Sequence, residues 1–148
     1  MLKKTIKYTD YNGVERNEEF LFNLTKAELM EMEMGTTGGL AEKIQQIVVA
    51  QDAPAIIQIF KDIILKAYGE KSADGKRFVK INDAGVPLSI GFSQTEAYSQ
   101  LFMELATNSE EAAKFIKGII PGDIDLNDKE FKLVGATVSD IKFEDNNQ

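Results

Sequence analysis

The sequence predicts an α+β fold, mostly α: an N-terminal β-hairpin followed by a small bundle of about five helices and an acidic C-terminal tail. Three observations predict it. The first strands announce themselves as β-like runs around an Asn-Gly turn. Between residues 25 and 118, apolar residues recur at helical spacing in stretches bounded by capping residues, Gly or Pro. Finally, residues 121–148 hold Asp123, Asp125, Asp128, Glu130, Asp140, Glu144 and Asp145 against three lysines, so they carry −4 of the chain's net −7. The domain organisation expected is a body over residues 1–120, with the hairpin at 2–22 and helices at 25–118, and a tail over 121–148.

The hairpin is read as Leu2–Thr9 and Val14–Phe22, joined by Asp10-Tyr11-Asn12-Gly13. Lys3, Thr5 and Lys7 share one face of it. Such a face is solvated and discourages edge pairing; an anion-binding patch is the weaker alternative.

Helix signals follow in order. Thr25 and Glu28 form a capping box, with Leu24 and Leu29 placed as a hydrophobic staple, and this first helix ends near Gly35. After the breaker Gly35-Thr36-Thr37-Gly38-Gly39, the recurrence of Leu40, Ile44, Ile47 and Val48 gives a second helix to about Ala50. Asp52 caps a third, with Pro54 in its first turn, where proline is tolerated. Its apolar residues from Ile56 to Tyr68 cover half the circumference or more, as expected of a central helix, and Gly69 ends it. Glu70 to Gly91 reads as an irregular connection with a short extended piece at Arg77–Ile81. A second capping box, Ser93-Gln94-Thr95-Glu96, restarts a helix, and Ser109 caps a last one that Gly118 and Pro121 terminate.

The absences narrow the chemistry. With no Cys and no His, the chain has no thiol nucleophile, no thiolate metal site and neither the commonest general base nor the commonest metal ligand. A hydrolase working through carboxylates would need them gathered in a cleft, whereas here they are scattered along the chain. Gly69–Arg77 has five residues between its glycines and lacks the Ser or Thr after the lysine that a phosphate-binding loop requires, so it reads as a turn. Asp123–Asp128 starts like a calcium loop, but Asp128 stands where the turn demands Gly and Val134 where a Glu must close the site. No catalytic, cofactor-binding or metal-binding residue is assigned, and no enzyme activity is expected. The acidic balance disfavours nucleic acid, and no apolar run approaches the ~20 residues of a membrane span.

The stretch Phe92–Leu105 decides between core and partner surface. Tyr98, Leu101, Phe102 and Leu105 fall in one ~100° stripe, the width of a core-facing side. Together with Ile59, Phe60 and Ile63 they are the expected core. Met103 lies opposite that stripe among Glu96, Ser99 and Gln100, and Leu65 and Val49 are similarly placed on their helices. Met103, Leu65 and Val49 are therefore the candidate partner-binding residues.

The runs "TIKYTDYNGVERNEEFLFNLTKAELMEME", "GGLAEKIQQIV", "ILKAYGEKSADGKRFVK" and "FSQTEAYSQLFMELATNSEEAAKFIKGIIP" resemble the tail assembly chaperones of long-tailed bacteriophages over about residues 1–120. The resemblance implies a non-enzymatic protein of the infected host's cytoplasm that binds and solubilises the tape-measure protein during tail morphogenesis. The tail-tube protein and self-association are further partners it leaves open. A structural virion component, such as a tail-tube or connector subunit, is the alternative.

Overall fold

The computed structural model describes residues 1–35 and 53–121. The expected second helix, Val49 and Asp52 within or beside it, and the tail beyond Pro121 lie outside these residues.

Strands β1 (Leu2–Thr9) and β2 (Glu15–Phe22) pair antiparallel, from Leu2 opposite Phe22 to Thr9 opposite Glu15. The turn between them is built by Asp10. Its carboxylate accepts from the amides of Asn12 and Val14, each at 2.9 Å, and pairs with Arg16 at 2.9 Å. Gly13 follows with φ 78°, a left-handed conformation that a side chain would resist. Lys3, Thr5 and Lys7 point outward and are exposed, as the alternation requires.

Thr25 caps α1 (Lys26–Met34) in a complete capping box: its side chain accepts from the Glu28 amide at 3.1 Å, and Glu28 accepts from the Thr25 amide at 2.9 Å. Helix α2 (Ala53–Ala67) carries Pro54 in its first turn. It stops one residue earlier than the periodicity implies, because Tyr68 and Gly69 are not helical. They open strand β3 (Tyr68–Lys71), which pairs with β2 through Tyr68 opposite Phe22 and Gly69 opposite Leu21.

The first part of the connection read as irregular is thus a hairpin, whose second strand falls within the extended piece expected at Arg77–Ile81. Strand β4 (Phe78–Val79) returns along β3, completing a four-stranded sheet of order β1-β2-β3-β4. The turn between β3 and β4 is closed by the Ser72 amide donating to Arg77 O at 2.9 Å, with Gly75 at φ 74°. Gly69 is a strand residue rather than a helix terminator. A Cβ there would stand 2.5 Å from the Phe78 ring and 2.8 Å from the Val79 carbonyl, so the close approach itself demands glycine.

Three short helices cover one face of the sheet: α3 (Leu88–Ser93), α4 (Glu96–Thr107) and α5 (Ser109–Ile119). Two of the expected caps move by a residue or two. Ser93 lies inside the end of α3 and donates to Ile90 O at 2.7 Å, leaving Thr95 to cap α4 by accepting from the Tyr98 amide at 3.2 Å. Asn108, not Ser109, caps α5, accepting from Glu110 and Glu111 amides at 3.1 and 3.2 Å. Gly118 does not terminate α5 but lies within it, where a Cβ would meet the Leu2 side chain at 2.8 Å.

The core is aromatic. Phe22 is fully buried and meets Phe115, Phe92 and Tyr68 edge-on at 5.1, 5.8 and 5.9 Å, while Tyr68 and Phe92 stack at 4.2 Å. Ile63, Leu101 and Leu105 are buried with them, as are Leu24, Leu29, Ile64 and Ile116. Ile59, Phe60, Tyr98 and Phe102 are half-buried and pack against this cluster from its edge, a correction to their expected full burial. Their helices roll so that Ile64 and Leu101 take the central positions. The stretch from Phe92 to Leu105 is therefore chiefly the inside of the protein.

Candidate partner-binding surface

A tight loop and the first turn of α3 bring together aliphatic side chains that the sequence order alone does not single out. Ile81 pairs with Pro87 across the loop, and Leu88 donates its amide to Lys80 O at 2.8 Å. Asn82 holds the turn: its amide donates to Val86 O at 2.9 Å, and its Oδ1 accepts from the Ala84 and Val86 amides at 2.9 and 3.0 Å. Gly85, at φ 80°, supplies the left-handed residue. From this unit Ile81, Val86 and Ile90 project, and they are 57%, 42% and 50% exposed.

The unit is anchored by Lys80. Its Nζ donates to Glu28 Oε2 at 2.6 Å, Asn23 O at 2.7 Å and Lys66 O at 2.8 Å, which joins the end of β2, the capping box of α1 and the last turn of α2. Burial lowers the Lys80 pKa, while the Glu28 carboxylate works to raise it. Burial likewise raises Glu28, but the Lys80 ammonium and the Thr25 amide outweigh it and hold the carboxyl below its usual range. All three ammonium donors are used within the protein. Lys80 is thus a structural tie, not a free cation offered to a ligand.

The three sequence candidates fare differently. Met103, on α4, is 55% exposed beside Glu104, which pairs with Lys4 at 2.9 Å. Leu65, on α2, is half-buried and packs against the core, so it offers only part of its surface. Val49 lies outside the described residues. Ile81, Val86 and Ile90 were not singled out from the sequence, although Asn82-Asp83-Ala84-Gly85 followed by Pro87 is a turn signature that leaves their aliphatic neighbours on a loop.

What this surface offers chemically is apolar area held on ordered backbone. The displaced carboxyls, Asp10, Glu28 and Asp74, are all displaced downward, held ionised by the Val14 amide, by Lys80 and Thr25 against burial, and by the Lys76 amide respectively. Among the described residues no group of three or more metal-ligating side chains gathers, and no helix is long and apolar enough to cross a membrane.

The described residues form an α+β fold with a four-stranded sheet, covered by helices and bearing exposed aliphatics on the unit between β4 and α3, a class of architecture that does not by itself fix a function. The family model for phage tail assembly chaperone matches residues 1–146, and the chain belongs to that family. No curated protein and no solved structure matches it.

Proposed function

We propose that this chain binds the tape-measure protein in the host cytoplasm and keeps it soluble until the tail tube forms around it, acting by contact rather than by catalysis. Family membership supports the assembly role. The observation that carries the contact surface is the exposure of Ile81, Val86, Ile90 and Met103 on elements fixed by the core and by Lys80. Apolar side chains on ordered backbone suit the apolar seam of a long helical chain, because such contact is non-directional and tolerates sliding along a repeating partner. Met103 stays in the proposed surface, joined by the β4–α3 loop; Leu65 adds its exposed part. The net charge of −7 keeps neighbouring bound copies from coalescing.

Co-expression with the tape-measure protein tests the reading. The large partner is expected in the soluble fraction, carrying this chain with it on purification. A partner that pellets equally with and without this chain contradicts the proposal, and persistence of this chain in finished particles identifies a virion component instead.

A further inference from the structure

The edge strand β1 has a bonding pattern with a consequence of its own. The Asp10 amide donates to Val14 O, so the pair Asp10–Val14 is of the hydrogen-bonded kind. Antiparallel pairs alternate, which makes Tyr8–Arg16, Ile6–Glu18, Lys4–Phe20 and Leu2–Phe22 the other bonded pairs. The β2 side agrees, since Asn23 donates across to Ala67 O and Leu21 pairs with Gly69 of β3. The amides and carbonyls of Lys3, Thr5, Lys7 and Thr9 therefore point away from β2, and among the described residues β1 pairs with no other strand. Eight residues of strand leave an open row of donors and acceptors.

The side chains on that edge select what can pair with it. Lys3 and Lys7 stand on the outer face, four residues apart with Thr5 between them. A second copy of β1 pairing antiparallel about Thr5 would set Lys3 against Lys7 and Lys7 against Lys3, like charges directly opposed. A segment with acids four residues apart fits instead. The tail contains one: Asp140-Ile141-Lys142-Phe143-Glu144. In either direction, with Lys142 set against Thr5, Asp140 and Glu144 meet the two lysines. Ile141 and Phe143 then fall on the inner face opposite Lys4, whose ammonium is taken by Glu104 and Glu111, and Ile6, with Leu2 and Tyr8 on the same face.

Reach permits it. Near the end of α5 Gly118 packs on Leu2, so Pro121, three residues on, lies within about 10 Å of the start of β1. Residues 122–139 extend up to ~60 Å, against ~27 Å for the length of β1, enough to approach in either direction. Attachment to the same chain also gives the segment a high effective concentration at the edge.

We propose that the open edge of β1 is a docking site for residues 140–144 of this chain, added as a fifth strand through the Lys3, Thr5 and Lys7 backbone groups and matched by Lys3 and Lys7 to Asp140 and Glu144. This assignment stands apart from the tape-measure reading and survives its failure. Amide hydrogen exchange on the full chain tests it. The Thr5 and Lys7 amides are expected to exchange at least about tenfold more slowly than in the Asp140→Lys/Glu144→Lys variant, with protection restored when Lys3→Glu/Lys7→Glu is added. The Ile6 amide, bonded to β2, reports that each variant is folded, and Asp140→Asn/Glu144→Gln replaces the reversal if it is not. Thr5 and Lys7 amides exchanging freely in the parent, or equally protected in the folded tail variant, overturn the proposal. Protection that fades on dilution assigns the edge to a second copy and overturns it too.

Discussion

Lys80 Nζ lies 2.6 Å from Glu28 Oε2, a contact that joins a loop after the sheet to the N-terminus of α1 across 52 residues of sequence. The same ammonium satisfies the carbonyls of Asn23 and Lys66. Lys80→Met removes three charge-assisted bonds at once and leaves a half-buried carboxylate without its counter-charge. Both side chains keep about a fifth of their surface in water, so the expected loss is ~1–3 kcal/mol, short of that for a fully buried pair. Urea denaturation measures it.

The pH dependence follows from Glu28. Its folded pKa lies below its unfolded value, so its contribution is fully present above the ordinary carboxylate range and is lost as pH falls through the folded pKa. Melting temperatures of the parent and Glu28→Gln should differ at neutral pH and converge in acid. A gap that widens on acidification would show that the carboxylate is not stabilised in the folded state.

Gly69→Ala should destabilise by ~1–3 kcal/mol, because its Cβ would overlap both the Phe78 ring and the Val79 carbonyl. Phe78→Ala in the same chain relieves only the ring. Partial recovery in the double variant, read by thermal melting, is the expected result.

Leu101 and Phe102 reverse the order that size alone implies. Leu101 is fully buried, whereas Phe102 packs at the edge of the core. Leu101→Ala should cost ~2–5 kcal/mol and Phe102→Ala less, despite the larger group removed. The comparison is made on chemical denaturation midpoints.

Thr95→Ala should cost ~0.5–2 kcal/mol through loss of the α4 cap. Ser93→Ala should cost less, since its hydroxyl only supplements a carbonyl at the end of α3. Equal losses would place the cap at both residues.

The features legible in the sequence were those written locally. Thr25 and Glu28 complete their capping box within three residues, and Asp10 folds its turn onto amides two and four residues ahead. Strand β4 is legible only as the short extended piece at Arg77–Ile81, and β3 is not legible at all, because its pairing is set by a distant partner: Tyr68 faces Phe22, and nothing in Tyr68-Gly69-Glu70-Lys71 breaks the helical pattern before it except one glycine. Ser93 and Thr95 compete for one cap within four residues; the choice falls to Thr95 because α3 occupies the residues before it. The candidate surface was half legible. Met103 was visible from its helix wheel, but Ile81, Val86 and Ile90 owe their exposure to a loop whose geometry depends on Lys80 reaching Asn23, Glu28 and Lys66.

The contact surface itself is tested most directly by the soluble fraction of tape-measure protein co-expressed with Met103→Glu and with Ile81→Glu/Ile90→Glu. Both variants alter exposed positions and should melt like the parent. The account predicts that each nevertheless loses much of the rescue the parent gives, and that the parent's complex withstands added salt, since apolar contact is not screened. Folded variants that both keep the partner as soluble as the parent does would contradict it.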